Sequence, residues 1–237
     1  MPLVQHRELR ERVLEANMAL GRAGLVVLTF GNASAVDRDA SVVAIKPSGV
    51  SYDGLTPAAI AVVDIESGAV VDGRTRPSSD TPTHLVLYRA WPEVGGIVHT
   101  HSSFATAWAQ AGEEIPCYGT THADHFDGAV PVTRPLTVAE IEREYERATG
   151  EVILETFVDL ELAPLDRPAV LVVSHGPFAW GASVEEAVEN AIVLEEVAAG
   201  ALRTRQLRAD VPPIGDDLRR RHFRRKHGPA AYYGQTC

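Results

Sequence analysis

The chain of 237 residues contains only two cysteines, Cys117 and Cys237. Two distant cysteines supply neither a disulfide framework nor a Cys-x-x-Cys metal knuckle, so any metal must be bound by histidine and carboxylate. No apolar run approaches the roughly 18 residues of a membrane span. The charged, amphipathic start is also unlike a signal peptide. We therefore expect no membrane association and a cytoplasmic location.

Positive charge is scarce, because 22 Lys and Arg stand against 32 Asp and Glu, giving a formal net charge of −10. This balance argues against general binding of nucleic acid through its phosphates. The exception is segment 219–237, which has six Lys or Arg and no acidic residue. That segment is either a solvated helix end or a tail that meets an acidic neighbour or an anionic substrate.

The sequence also lacks a Walker loop and a GxGxxG fingerprint, so nothing supports nucleotide binding. Three short loops could still contact a phosphate: GNAS at 31–34, KPSG at 46–49 and PSS at 77–79. Loops of this kind offer backbone N–H groups, hydroxyls and, in one case, an ammonium group. Each loop taken alone is equally compatible with an ordinary turn.

Hydrophobic periodicity predicts one α/β domain over residues 1–237, with helices flanking a sheet. The predicted strands lie at 25–29, 42–46, 96–99 and 169–176, with a hairpin over 60–71 whose turn is Ser67-Gly68. The predicted helices lie at 7–22, 81–91, 103–111, 138–149 and 184–204. Capping-box spacing marks the starts of the last two, at Thr137 with Glu140 and at Ser183 with Glu186.

Three histidines are predicted at strand ends. His99 and His101 belong to GGIVHTHSSFATAW, and side chains two apart on a strand point to the same face. Alone, this pair could be two hydrogen-bonded imidazoles. His175, at the end of AVLVVSHG, adds a third imidazole. Three imidazoles at one place are what a catalytic metal site with an open position requires. Asp80, at the start of a predicted helix, is either a further ligand or the N-cap that bonds Thr83.

Two other segments are rich in reactive groups. The loop GTTHADHFDG at 119–128 is either a solvated bend or a source of acid–base chemistry. The tail contains the adjacent residues Tyr232 and Tyr233, for which packing against another subunit is the simplest explanation. Two other classes of HxH protein fit poorly, because amidohydrolase barrels need a longer chain and cupins place a glutamate soon after the motif.

The ordered motifs resemble those of the class II aldolase/epimerase family, and within it the L-ribulose-5-phosphate 4-epimerases. The resemblance covers nearly the whole chain. It rests on LTFGNASAVDR, IKPSGVSYDGLT, RPSSDTPTHLVLY, GGIVHTHSSFATAWAQAG, GTTHADHFDG, SHGPFAWG, NAIVLEEVA and RKHGPAAYYGQ. One departure is Phe30, where these epimerases commonly have Trp; we expect it to alter packing rather than chemistry.

The resemblance implies a three-layer α/β/α fold with a central mixed, mostly antiparallel sheet. It implies a Zn²⁺ site, with Mn²⁺ as another candidate cation, whose ligands are Asp80, His99, His101 and His175. Residues that contact the sugar phosphate would be Gly31, Asn32, Lys46, Ser48, Gly49, Ser78, Ser79 and His222. The acid–base pair would be Asp124 and Tyr233, delivered from a neighbouring subunit of a homotetramer, with the tail from about residue 210 to 237 contributing to this shared site.

The activity implied by the resemblance is zinc-dependent conversion of L-ribulose 5-phosphate to D-xylulose 5-phosphate, in arabinose catabolism or another pentose or ascorbate route. The C4 proton of this substrate is β to the carbonyl and is not acidic enough for direct removal. Retro-aldol cleavage, a metal-bound enediolate and re-addition avoid that step. Two alternatives are a class II sugar-phosphate aldolase, which typically has Glu in place of Asp80, and a non-catalytic module like the aldolase-like head of adducin.

Overall fold

A sheet of seven strands runs through the part of the chain that the computed structural model describes, residues 6–73, 75–227 and 231–233. Its strands are β1 (Asn32–Asp37), β2 (Val42–Ile45), β3 (Ala61–Asp64), β4 (Val70–Asp72), β5 (Gly96–His99), β6 (Ala169–Val172) and β7 (Gly176–Gly181). Their spatial order is β4-β3-β2-β1-β5-β7-β6, and each neighbouring pair is antiparallel. One isolated parallel bridge joins Val132 to Leu171. The predicted mixed, mostly antiparallel sheet is confirmed.

Helices cover both faces of the sheet. They are α1 (Arg7–Arg22), α2 (Thr81–Ala90), α3 (Ser103–Ala111), α4 (Thr120–Ala123), α5 (Val138–Asp159), α6 (Val184–Leu207) and α7 (Asp216–Lys226). One hydrophobic core contains residues of α1, α3 and α6, and the other contains residues of α2 and α5. Val98 belongs to the first core and Ile97 to the second, because successive residues of a strand face opposite sides. The three-layer architecture is therefore confirmed.

The central strands bring functional segments into one row. Asn32 at the start of β1 faces His99 at the end of β5, and His99 faces Phe178 on β7. The backbone at the start of α6 packs so closely on β5 that a side-chain carbon at Gly96 would overlap Val184. This contact fixes the position of β5, and hence of His99, relative to α6.

The predicted helices are all present, although two are longer than expected. α1 and α3 have the predicted bounds, whereas α5 continues to Asp159 and α6 to Leu207. Thr137 forms the full capping box with Glu140. Ser183 Oγ accepts from Glu186 N at 3.2 Å, while the Glu186 carboxylate accepts from Ala182 N rather than completing the box. The hairpin predicted over 60–71 is formed by β3 and β4.

One predicted strand is wrong and another is wrong in part. Residues 25–29 form no strand: the side chain of Val27 is 61% exposed, and Leu28 is 77% exposed with a left-handed φ of 56°. The strand begins instead at Asn32. The run 169–176 is also interrupted, because β6 ends at Val172 and Ser174 turns the chain with a φ of 60°. His175 consequently lies in the turn between β6 and β7 rather than at a strand end.

The polar loop and the basic segment both contain helix. α4 forms within 119–128. α7, which is not among the predicted helices, begins at Asp216, continues through the first part of the basic segment and packs against α4. Residues 228–230 and 234–237, which belong to the predicted active-site tail, lie outside the described residues. Across the described ranges no helix is both long enough and apolar enough to cross a membrane.

Candidate active site

Three imidazoles converge beside the end of β5. The ligand atoms of His99, His101 and His175 all lie within 4.8 Å of one another, and the Nε2 atoms of His99 and His101 are 3.1 Å apart. Nitrogens that bind one Zn²⁺ at about 2.0–2.1 Å in tetrahedral geometry lie about 3.3 Å apart. The three side chains therefore fit a divalent cation. His101 lies two residues beyond the strand and is exposed, but its ring still contacts that of His99, with centroids 4.9 Å apart.

The second ring nitrogen of His99 fixes the orientation of its imidazole. Nδ1 donates to the carbonyl oxygen of Pro177 at 2.9 Å, and the ring stacks on Phe178 with centroids 4.2 Å apart. The proton on Nδ1 leaves Nε2 with a free lone pair directed at the other two imidazoles. Such an outer hydrogen bond is typical of metal-binding histidines.

Burial keeps the other two imidazoles neutral. It lowers the pKa of His101, and it lowers that of His175 to about 4, with the neighbouring imidazoles adding to the effect. Neutral imidazole is the form that binds a metal. His101 and His175 are thus ready to bind a cation at neutral pH without first losing protons.

Asp80 lies beside the imidazoles rather than capping its helix. Its carboxylate makes no N-cap hydrogen bond; Oδ2 accepts from Asn32 Nδ2 at 2.6 Å and from Ser78 Oγ at 3.4 Å. Burial would raise the pKa of Asp80, but the nearby His99 and His84 and the bond from Asn32 hold it below its ordinary value. Within the described part of the chain, the converging ligand atoms are those of the three imidazoles, so a ligand role for Asp80 stays a prediction.

The three predicted substrate loops are joined at the same end of the sheet. A bridge pairs Pro47 with Pro77, Ser48 N donates to Arg76 O at 2.9 Å, and Ser78 N donates to Lys46 O at 3.0 Å. Asn32 Nδ2 also contacts Ser78 Oγ at 3.1 Å, which links the first loop to the third. These contacts bring together Gly31, Asn32, Lys46, Ser48, Gly49, Ser78 and Ser79.

Gly31 and the exposed loop residues have different roles in this arrangement. Gly31 has a φ of 81°, and a side-chain carbon there would lie 3.0 Å from His99 O, so only glycine lets this loop approach β5. Ser48, Gly49 and Ser79 are exposed and can offer hydroxyl and backbone N–H groups to a ligand.

Lys46 forms part of the wall of this site. Its side chain is buried, and Nζ donates to Thr29 O at 3.1 Å and lies 4.9 Å from the centre of the Tyr52 ring. Burial lowers the pKa of Lys46, although the Asp80 carboxylate opposes this. The ammonium places a positive charge on the buried side of the loop that carries Ser48 and Gly49.

Sequence reasoning missed a buried network behind Asp80. Ser34 Oγ lies 2.7 Å from His84 Nδ1 and 2.8 Å from the hydroxyl of Tyr88, and the Tyr88 hydroxyl donates to Ser34 O at 3.0 Å. Spacing could have indicated it, because His84 follows Asp80 by one helical turn and Tyr88 follows His84 by another. Tyr145, whose hydroxyl lies 3.2 Å from His175 Nδ1, was also missed.

A second cluster contains the predicted acid–base pair. The carboxylate of Asp124, at the end of α4, accepts from His222 Nδ1 at 3.0 Å and from Arg225 Nε and Nη2 at 2.8 and 2.5 Å. The guanidinium of Arg225 also lies over the ring of Tyr233, 4.3 Å from its centroid. Burial would raise the pKa of Asp124, but the bonds from Arg225 and His222 hold it below its ordinary value.

The two histidines that flank Asp124 have structural partners. His122 Nε2 donates to Gly128 O at 2.7 Å, while His125 lies between Asn190 and the ammonium of Lys226. Among the described residues, no hydrogen bond or ion pair joins the Asp124 cluster to the three imidazoles. One chain therefore presents the two predicted halves of the site as separate groups.

Residues 11–202 match the family described as the class II aldolase and adducin N-terminal domain. The chain belongs to this family. Over 229 residues it is 54% identical to the L-ribulose-5-phosphate 4-epimerase UlaF of Salmonella paratyphi A, covering 97% of this chain and 99% of that protein. The resemblance that the sequence motifs carry is confirmed.

Solved structures agree on the fold. An L-fuculose 1-phosphate aldolase superposes with a TM-score of 0.78 at 23% identity, covering 95% of this chain and 99% of that one. The L-fuculose 1-phosphate aldolase of Glaciozyma antarctica PI12 gives a TM-score of 0.73 at 19% identity, covering 98% and 87%. At these identities the likeness confirms the class II aldolase fold alone.

Proposed function

We propose that this protein is an isomerase, an L-ribulose-5-phosphate 4-epimerase that forms D-xylulose 5-phosphate. The observation that carries the proposal is the convergence of three imidazoles beside three joined Gly-Ser-Asn loops. It occurs in a chain that is 54% identical over its length to a protein named for this activity.

The proposed cation is Zn²⁺, held by His99, His101 and His175 with Asp80 as the fourth ligand; Mn²⁺ is the other candidate. When bound, the cation supplies stabilisation of the negative charge that develops on the sugar oxygens. Asp80 is held ionised and Asn32 restrains its carboxylate, so the side chain requires no proton loss to bind a cation.

The substrate phosphate is proposed to bind to the loops that contain Ser48, Gly49, Ser78 and Ser79. The serine hydroxyls and the backbone N–H groups of Gly49 and Ser79 are donors from which phosphate oxygens can accept hydrogen bonds, whereas the N–H groups of Ser48 and Ser78 already join the loops. Gly31 and Asn32 border this space, and Lys46 contributes positive charge from the buried side. His222 is proposed to reach the same substrate from the second cluster.

The proton transfers are proposed for Asp124 and Tyr233. The C4 hydroxyl gives its proton to a base, the C3–C4 bond breaks, and glycolaldehyde phosphate separates from the enediolate of dihydroxyacetone. The aldehyde rotates, the bond forms again on its other face, and an acid protonates the new alkoxide. Asp124 is held ionised and can accept a proton, whereas the phenol of Tyr233 can donate one, each contributing about 10²- to 10⁴-fold.

A complete site is proposed to need two subunits. Among the residues that the structure describes, the Asp124 cluster makes no bond to the imidazoles of its own chain, so we assign Asp124, His222 and Tyr233 to the site of a neighbour in a homotetramer. The tail from about residue 210 would form part of that contact. We also propose a cytoplasmic location and a role in pentose catabolism, of arabinose or a related sugar.

The test is a direct assay of purified protein with L-ribulose 5-phosphate, measuring D-xylulose 5-phosphate with and without a chelator. The expected result is turnover that the chelator abolishes and that added Zn²⁺ or Mn²⁺ restores. Turnover that persists after the metal is removed would contradict the metal-dependent mechanism. No epimerisation by metal-loaded protein would contradict the activity itself.

The second candidate is a class II sugar-phosphate aldolase, because the same three imidazoles and the same cation would serve that reaction. The same assay separates the two, because an aldolase releases free glycolaldehyde phosphate and dihydroxyacetone. A non-catalytic module would give neither product; the intact histidine cluster argues against it.

A further inference from the structure

The helix α5 breaks next to the candidate metal centre. Glu144 has non-helical angles, φ −148° and ψ 69°, although neither proline nor glycine occupies the break. Arg134 donates to Glu140 before the break and to Glu155 after it. Contacts on both sides therefore hold the two parts of α5 in a fixed relation.

The second part of α5 is pressed against α2. Thr83 Oγ1 donates to Glu146 O at 2.5 Å, and a side-chain carbon at Gly150 would lie only 2.8 Å from Val86 Cβ. α2 begins directly after Asp80. The part of α5 that follows the break therefore packs against α2, the helix that begins directly after Asp80. This packing positions the first residue after the break close to the candidate metal site.

That residue is Tyr145, and its hydroxyl lies 3.2 Å from Nδ1 of His175, with ring centroids 6.0 Å apart. His175 lies in a turn after Ser174, so no strand ladder orients its ring. With Nδ1 directed at Tyr145, Nε2 is the nitrogen left for a cation. When Nε2 binds a cation, Nδ1 carries the proton and donates a hydrogen bond to the phenol oxygen of Tyr145.

We infer that Tyr145 is a positioning residue for the metal centre, which orients His175 through this hydrogen bond. The inference rests on the proposed function, because it assumes that the three imidazoles bind the cation. His99 has a corresponding hydrogen bond, from Nδ1 to Pro177 O, so two of the three imidazoles are oriented through the ring nitrogen that does not bind the cation. Loss of such an outer partner typically weakens metal binding about 10- to 100-fold.

The test measures Zn²⁺ affinity of metal-stripped protein by competition with a chromophoric chelator. Tyr145→Phe removes only the hydroxyl, from a side chain that is partly exposed, and is expected to raise the Kd for Zn²⁺ about 10- to 100-fold. The matched control is Tyr118→Phe, which also removes a phenolic hydrogen bond, in that case to Arg205, and is expected to leave the Kd unchanged.

A second measurement reads the bond itself. In zinc-loaded wild-type protein, the Nδ1 proton of His175 is expected to give a slowly exchanging NMR signal that Tyr145→Phe removes or broadens. Equal Zn²⁺ affinity of wild type and Tyr145→Phe would overturn the role of Tyr145 and leave the proposed function intact. A wild-type protein that binds no Zn²⁺ would overturn both.

Discussion

The guanidinium of Arg225 donates to both carboxylate oxygens of Asp124, through Nε at 2.8 Å and Nη2 at 2.5 Å. The same guanidinium lies over the ring of Tyr233, and the backbone oxygen of Arg225 accepts from Tyr233 N at 2.9 Å. Arg225 therefore joins the two residues assigned to proton transfer. Such a bidentate pair fixes geometry as well as charge, so α7 and α4 present the two groups as one unit.

Asp124→Asn is expected to lower kcat about 10²- to 10⁴-fold, because the amide cannot accept a proton. Bound zinc should remain, since the carboxylate of Asp124 bonds His222 and Arg225 rather than the three imidazoles. The matched control is Asp127→Asn in the same loop, where the carboxylate pairs with Arg219 instead. Steady-state kinetics with metal analysis checks both variants; a fully active Asp124→Asn protein would remove Asp124 from the mechanism.

His99→Asn is expected to abolish both bound zinc and turnover. His99 is the central imidazole, within ring contact of both His101 and His175. His6→Asn, at the start of α1, is the control and should keep both properties. Metal content by atomic emission, measured beside the epimerase assay, decides the outcome, and an active, zinc-free His99→Asn protein would be incompatible with the proposed site.

Tyr233→Phe is expected to slow epimerisation about 10²- to 10⁴-fold while leaving zinc content and thermal stability unchanged, because it removes only the proton donor. Tyr232→Phe is the control in the adjacent position. It makes the same small change on a side chain that is also exposed. Equal rates for the two variants would reassign the role to another residue.

Asp80→Glu is expected to shift the protein from epimerisation towards release of the aldehyde. The longer carboxylate, which class II aldolases typically have, would displace the bond from Asn32 Nδ2 that now restrains it. Free glycolaldehyde phosphate is the product to measure. An unchanged product ratio would mean that this position does not distinguish the two reactions.

The stability of the metal-free protein is expected to fall as the pH is lowered from about 6.5 towards 4. Burial lowers the pKa of His84 to about 3 and that of His122 to about 4, so the folded protein keeps both neutral. The unfolded chain takes up these protons near pH 6.5, and proton uptake by the unfolded state favours unfolding. The stabilisation is complete above that pH and declines below it.

Urea denaturation of metal-stripped protein at about pH 8, 6 and 4.5 measures this effect, and each full pKa unit corresponds to about 1.4 kcal/mol. Histidine NMR of the folded protein is the control, and His122 should remain neutral at about pH 5. A free energy of unfolding that is the same at the three pH values would contradict the prediction.

Much of the fold followed from hydrophobic periodicity, but β1 did not. LVVLT is apolar and β-branched, yet Val27 and Leu28 are largely exposed, whereas the polar-looking NASAVD is a buried strand. The reason is chemical: Asn32 is buried because its amide bonds Asp80, and Ser34 because its hydroxyl bonds His84 and Tyr88. These partners are distant in sequence and cannot be read from local pattern.

The residues of the candidate site could be predicted where they belong to short sequence motifs, but not where contacts between distant segments position them. Spacing placed His99 and His101 together, and the apolar run that ends at His175 indicated the third imidazole, whereas the resemblance assigned the acid–base pair. His175 was expected on a strand, because the left-handed φ of Ser174 is rare for a residue with a side chain. α7 was missed because only Phe223 on it is buried, and its position depends on Asp124.

The row formed by Asn32, His99 and Phe178 ties cation binding to the integrity of the middle of the sheet. A slip of one residue in either ladder would turn these side chains to the opposite face and scatter the imidazoles. The colour of a cobalt-substituted sample would therefore report strand register. During denaturation it should persist while the outer strand β4 frays, and vanish when strands β1, β5 and β7 separate.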